Sequence, residues 1–190
     1  MAYVLQTDRI VLRHFVKSDL DDLCRLYADK EVRRFFPDGV LSRREAEEEI
    51  AWSMHGSDEL HPCLRLYAAM DRRTGSFIGR GGFVRWQLDG IVEVEIAYMI
   101  DKSLWHRGLG SELASVLLDF GFSALPVKHL IAVIDSSNTA SIKTAEKIGM
   151  SRQRSVISAG RECTIFSISA TDNERSARTH ARISVLDAHR

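Results

Sequence analysis

None of the three cysteines has a companion to work with. Cys24, Cys63 and Cys163 are far apart, odd in number and outside any Cys-x-x-Cys or Cys/His spacing, which argues against a disulfide framework and a zinc site; they read as small core or surface residues. No metal is expected. No apolar run approaches the roughly 20 residues that a membrane span requires. The opening Met1-Ala2-Tyr3-Val4-Leu5-Gln6-Thr7-Asp8 lacks a basic segment followed by an apolar core, so no secretory signal is evident and a cytoplasmic protein is the expectation. Charge of one sign is also missing. With 26 basic and 26 acidic residues the formal net charge is zero, which argues against a general nucleic-acid binder held by phosphate neutralisation and leaves only a local basic patch open.

What is present is an ordinary soluble balance, 45% hydrophobic and 27% charged over 190 residues, enough for one domain with a sizeable core. That domain is expected over 1–170, followed by a polar, Arg-rich tail over 171–190 to which no structure is assigned. Thr7 to Phe15 alternates as a first strand, with Ile10 and Leu12 on one face and Val11 and Arg13 on the other. Ser18-x-x-Asp21 resembles a capping box for a helix carrying Leu20, Leu23, Leu26 and Tyr27. Ser42-x-x-Glu45 is a better one, opening a second helix through Ile50 to about Met54. Its run of Glu45, Glu47, Glu48 and Glu49 reads as a solvated face or as an attractor for a cationic substrate. Between them, Arg33 to Gly39 puts Phe35 and Phe36 in a loop, where they either line a pocket or anchor the loop to the core.

From Leu64 the apolar period changes from 3.6 to 2. Leu64–Met70, Ser76–Trp86 and Ile91–Ile100 read as strands joined by Asp71 to Gly75 and by Leu88-Asp89-Gly90, an antiparallel meander. Gly79, Gly81 and Gly82 inside the second strand suggest a bulge or a close backbone approach. An amphipathic helix with Leu109, Leu113, Val116, Leu117 and Phe120 on one stripe separates Ile91–Ile100 from a β-branched strand over Val127 to Ile134, making those strands parallel partners. Asn138 can cap a further helix ended by Gly149, and Thr164 to Ser169 reads as a closing strand. The fold class is α+β: a mixed sheet, antiparallel in its N-terminal half, with one parallel βαβ crossover.

The crossover begins at Trp105-His106-Arg107-Gly108-Leu109-Gly110-Ser111. A glycine turn opening a helix aims unpartnered backbone N–H groups and the positive end of the helix dipole at an anion. Taken alone, this heptapeptide is either a phosphate cradle or a tight turn. A P-loop does not fit, because no Gly-Lys-Ser/Thr follows Gly108. A dinucleotide fingerprint would need glycine where Leu113 stands, and in an N-terminal unit. The third candidate is the acyl-CoA turn, Gln/Arg-x-x-Gly-x-Gly/Ala.

Together with the opening Thr7-Asp8-Arg9-Ile10-Val11-Leu12-Arg13, Ile78-Gly79 to Gly82-Phe83, Glu95-Ile96-Ala97-Tyr98, Asn138-x-x-Ser141 and Glu146-Lys147-x-Gly149-Met150, this turn resembles the GNAT acetyltransferase superfamily over roughly Thr7 to Ser169, in its ribosomal-protein N-terminal acetyltransferase (RimJ/RimL-like) branch. The resemblance implies acetyl-CoA as co-substrate. Tyr98, Met99 and Ile100 match the strand that pairs with the pantetheine, and Arg107, Gly108, Leu109, Gly110 and Ser111 match the pyrophosphate turn, where Arg107 or Lys102 adds charge. Asn138 matches a pantetheine contact, and equally a plain helix cap. Trp105 stands where the family usually has Gln or Arg.

Transfer to an amine needs a proton acceptor, a polarised carbonyl and a proton for the leaving thiolate. Glu95 matches the family's strand carboxylate and shares a face with Glu93; the bland alternative is two glutamates on a solvated face. Amides near Tyr98 and Met99 match the oxyanion donors. Ala145 stands where many members carry a Tyr acid, so Ser141, one turn into the helix, is assigned to the thiolate or is a filler. At pH 7 freeing an α-amine costs roughly 1.4 kcal/mol against about 4.6 for a lysine, which favours a peptide N-terminus as acceptor. Antibiotic, polyamine and amino-acid acceptors stay open, as does a noncatalytic acyl-CoA-binding domain, because Phe35, Phe36 and the segment from Ser151 to Glu162 decide the acceptor. Nucleic-acid and membrane partners are not expected; monomer and homodimer are both open.

Overall fold

A computed structural model describes residues 3–55, 61–177 and 184–185. Its centre is one mixed sheet. The strands are β1 (Tyr3–Gln6), β2 (Ile10–Arg13), β3 (Leu66–Asp71), β4 (Phe77–Leu88), β5 (Ile91–Ile100), β6 (His129–Asp135), β7 (Ser151–Ser158), β8 (Arg161–Ser169) and the two-residue β9 (Ser184–Val185). Their order across the sheet is β7-β8-β6-β5-β4-β3-β2-β1-β9. All neighbouring pairs are antiparallel except β5 with β6, the pair that the sequence places around the crossover helix.

Helices cover both faces. On one, α4 (Leu109–Ala124) lays Leu113, Val116, Leu117 and Phe120 on Leu12, Tyr67, Phe83, Val94 and Ile96. On the other, α1 (Leu20–Ala28) and α3 (Arg43–His55) pack Leu23, Leu26, Tyr27, Ala46 and Ile50 on Phe15, Ala68, Phe77 and Met99. Strand β5 therefore alternates between two apolar environments, with Val94, Ile96 and Ile100 towards α4 and Ala97 and Met99 towards α1 and α3.

Local chemistry explains where elements begin. Ser42 and Glu45 form the expected capping box: Glu45 Oε2 accepts from the Ser42 N–H at 2.7 Å, and the Glu45 N–H donates to Ser42 Oγ at 3.4 Å. The box expected at Ser18 does not form. A 3-10 turn (Lys17–Asp19) leads into α1, and Asp19 does the work by accepting the Val16 N–H and both terminal nitrogens of Arg13. Asp21, the carboxylate the expected box would use, instead accepts from Arg43 Nη1 at 2.7 Å. Asp29 ends α1 and caps the single turn α2 (Lys30–Arg33). Asn138 Oδ1 accepts the Ser141 N–H at the start of α5 (Thr139–Lys147), and Gly149 follows α5 with φ +89°.

Two strands are additional to the sequence expectation, β1 and β7, and part of the tail has structure. Ala170–Ala177 forms α6, and β9 pairs with β1; the rest of 171–190 lies outside the described residues. Among the described residues no helix is long and apolar enough to cross a membrane.

The glycines of β4 answer to close approach. A Cβ on Gly82 would sit 2.1 Å from the Arg65 carbonyl oxygen, and one on Gly81 would meet Leu117 and Leu113 of α4. Gly82→Ala is accordingly expected to destabilise the fold by about 2 kcal/mol, seen as a lower midpoint in thermal or urea unfolding.

Candidate active site

The parallel ladder between β5 and β6 is very short. Glu95 pairs with Ile131, and there the two strands part. In a continuing ladder the Val133 N–H would meet a β5 carbonyl. Here the Glu95 carboxylate takes it instead, Oε1 accepting at 3.0 Å, while Oε2 accepts from Trp86 Nε1. Beyond this apex β5 runs with one edge open. The Asp101 N–H donates to the Ile78 carbonyl and the Met99 carbonyl is aimed at Gly79, so Met99 is engaged with β4. By alternation the N–H and C=O of Tyr98 point into the opening. Ile100 faces the same way, but its carbonyl is taken by Trp105 Nε1 at 2.9 Å. The residue at the Gln/Arg position thus ties the turn to the strand. Of the three matched strand residues, Met99 turns its polar groups away from the opening.

The open edge leads to the glycine turn. His106 has φ +62° and Gly108 φ +76°, and no side chain caps α4. Among the described residues the N–H groups of Leu109, Gly110 and Ser111 have no acceptor, the first closed turn being Glu112 N–H to the Gly108 carbonyl at 3.1 Å. Alternating backbone handedness followed by an uncapped helix start is an anion-binding concavity. Glu112, in the first turn of α4, would oppose an anion there, and its charge is answered from the turn between β1 and β2. Arg9 places Nε on Glu112 Oε2 at 2.6 Å and Nη1 on the Arg107 carbonyl at 2.8 Å, while Thr7 Oγ1 donates to Glu112. Lys102, expected near the turn's charge, is paired with Glu31 at 2.6 Å. The Arg107 side chain is exposed beside the turn.

A cavity of about 210 Å³ passes through the splay from one face of the sheet to the other. On the α5 side it is lined by Tyr98, Asn138, Ser141, Thr144 and Ala145; on the other by Phe35, Phe36, Pro37, Arg80, Trp86 and Glu95. Asn138 uses its side-chain oxygen in the cap, which leaves its amide nitrogen for the cavity. The Tyr98 phenol lies beside the Thr144 and Ser141 hydroxyls, and burial raises its pKa against their opposing effect. A tyrosine hydroxyl therefore stands beside Ser141 although the expected helix position is Ala145. The aromatic loop is held by Arg33, whose guanidinium lies 4.4 Å from the Phe36 ring centre and pairs with Asp38. Both rings wall the cavity, and Phe36 also packs against the core, so it does both things the sequence left open.

Burial pushes the Glu95 carboxyl up to about 7, the bonds from Val133 N–H and Trp86 and the charge of Arg80 holding it back. Glu93 behaves differently: it pairs with the half-exposed His129 at 2.6 Å, away from the cavity lining. Cys163 reaches the lining, but desolvation raises its thiol, so it is no thiolate at neutral pH. Among the described residues no group of three His, Cys, Asp or Glu can hold a metal. The sequence assigns Trp86, Arg80, Arg9 and the phenol of Tyr98 no role in the site; Trp86, Arg80 and Tyr98 reach it through strand register and Arg9 from the β1–β2 turn.

An opened parallel pair leading to an uncapped helix start, with a carboxylate of raised pKa at its apex, is a place to lay a long thioester beside an amine. The model of the acetyltransferase (GNAT) domain matches residues 9–151. The Bacillus subtilis (strain 168) protein YkkB is 35% identical over 153 residues, 80% of this chain and 87% of that protein. An acetyltransferase of the GNAT family from Bacillus anthracis shares the fold at a TM-score of 0.75 and 19% identity, over 88% of this chain and 98% of that one. A spermidine N-acetyltransferase from Vibrio cholerae, solved with CoA and spermine, does so at 0.73 and 15%, over 88% and 99%. The chain belongs to the GNAT acetyltransferase family and is an acetyl-CoA-dependent N-acetyltransferase.

Arg9→Ala removes both the brace on the Arg107 carbonyl and the cation answering Glu112. Its expected effect is an about tenfold weaker acetyl-CoA affinity by calorimetry, with the apo-protein unfolding midpoint little changed.

Proposed function

We propose that this acetyltransferase modifies the α-amino group of a peptide or protein N-terminus, as the RimJ/RimL-like resemblance of its motifs implies. One observation carries the reading: the apex carboxylate, Glu95, has a pKa of about 7, one unit below an α-amine and well below a lysine. A proton passes from an α-ammonium to such a base at a cost of about 1.4 kcal/mol, against about 4.6 from a lysine.

In this reading the amides of Leu109, Gly110 and Ser111 hold the pyrophosphate, with Arg107 and Gly108 shaping the turn. The open edge of β5 at Tyr98 to Ile100 takes the pantetheine, and the Asn138 amide nitrogen assists. Acetyl-CoA supplies an activated carbonyl carbon. Each Glu95 oxygen keeps a lone pair after its bond to Val133 or Trp86, so the carboxylate accepts the amine's proton directly or through one water. The N–H of Tyr98 faces the carbonyl oxygen as it gains charge. The nitrogen–carbon bond forms, the carbon–sulfur bond breaks, and Ser141, beside the Tyr98 phenol, donates the proton the thiolate needs.

Glu95→Gln is expected to lower kcat by about a hundredfold or more and Ser141→Ala well beyond tenfold, each with near-normal acetyl-CoA affinity. Unchanged turnover removes the residue concerned from the mechanism. The wild-type kcat/KM should rise with pH through about 7. The sign for stability is the reverse. A carboxyl raised in the fold holds its proton longer there than in the unfolded chain, so ionising it costs stability as pH rises from about 4.5 past 7. Glu95→Gln should therefore melt higher than wild type above pH 7. Paired assays with α-amino and ε-amino acceptors test the acceptor, and faster ε-amine turnover overturns it.

A further inference from the structure

The acceptor wall holds a cation whose hydrogen-bonding capacity is mostly unused. Arg80 is only 5% exposed. Its Nε donates to the Tyr27 hydroxyl, which donates in turn to Glu49, whose Oε1 lies 3.4 Å from the same nitrogen. Neither terminal nitrogen has an acceptor among the described residues. Ser53 Oγ is the buried side-chain polar atom shut away without a partner there, so these two nitrogens are open to the cavity that Arg80 lines. The buried Arg33 contrasts with it, placing Nε on the Gly39 carbonyl and Nη2 on Asp38. A buried guanidinium fork left open to a cavity is a site for an oxygen anion, because each unfilled N–H carries a desolvation cost that a carboxylate relieves bidentately.

Its position relative to Glu95 follows from register. Arg80 lies opposite Met99 and Glu95 opposite Val84, on the same face of the sheet; between them Gly82 faces Ala97. Two small residues thus floor the space between a base and a cation, and the charge of Arg80 is felt at Glu95. A polyamine brings only donors and positive charge to this wall. We infer that Arg80 is an acceptor-side anion site, and that the preferred acceptor is a primary amine carrying a carboxylate a few bonds from its nitrogen. That carboxylate is the side chain of an N-terminal Asp or Glu, or the α-carboxylate of a free amino acid. The inference rests on the amine entering at Glu95.

The test measures kcat/KM with acetyl-CoA for peptides beginning with Asp or Glu against the same peptides beginning with Asn or Gln. Free alanine against alaninamide, and spermidine, complete the panel. The acid-to-amide ratio is expected to be about tenfold or more in the wild type, mainly through KM, and to fall to about one in Arg80→Gln. Because the ratio is taken within one protein, a general loss of activity does not move it. If Arg80→Gln fails to fold, Arg80→Lys, which keeps the charge and loses the fork, should lower the same ratio. Peptide turnover with a wild-type ratio near one overturns the Arg80 site and leaves the N-terminal reading standing. Alanine turnover exceeding that of alaninamide, with no peptide accepted, does the opposite. Spermidine outpacing every other acceptor overturns both.

Discussion

The hydrogen bond from the Val133 N–H to the Glu95 carboxylate is the constraint on which the site depends. A parallel pair that stops after one rung would leave an unpaired donor at its apex, a cost of the order of 1–3 kcal/mol if buried. Glu95 relieves that cost with a side chain and so lets β6 leave β5 without an orphaned amide. The same bond fixes the carboxylate between the two halves of the cavity. Its environment, apolar enough to raise the carboxyl to about 7, also suits it to the proposed role of base near neutral pH.

The flanking elements make this opening rigid. Strand β4 supports β5 along its whole length, Trp86 bonds the second carboxylate oxygen, and Trp105 ties the start of the crossover to the last carbonyl of β5. Arg9 braces the turn from the connection between β1 and β2. In the turn itself His106, a non-glycine residue, is held at φ +62°.

Much of the architecture was legible because it rests on periodicity and turn chemistry. The Asp89-Gly90 pair announces the β4–β5 hairpin, and both residues have positive φ. The β7–β8 hairpin uses Ala159-Gly160 in the same geometry, and alanine gives no such warning, which is why Ser151 to Ser158 does not read as a strand. β1, at four residues, is too short for alternation to register. At Ser18 the pattern misleads because Arg43, distant in sequence, claims the carboxylate of Asp21. In the site, Glu95, Ser141, Asn138 and the turn are visible as motifs, being spaced along single elements. The roles of Arg80 and Trp86 are not, since only cross-strand register brings them to the cavity, nor is that of Arg9, which the β1–β2 turn carries to the glycine turn.

The two sides of the cavity are built from different kinds of atoms. Unpartnered turn amides, an open strand edge and a helix packed on Gly81 and through its own Gly121, where a Cβ would collide with neighbouring side chains, make up the proposed thioester side. Main-chain groups dominate there, so most substitutions that keep the fold leave it intact. The opposite wall is made of Phe35, Phe36, Arg80 and Trp86. A lineage carrying this scaffold can therefore exchange one partner of the reaction by changing a few side chains while inheriting the other unchanged.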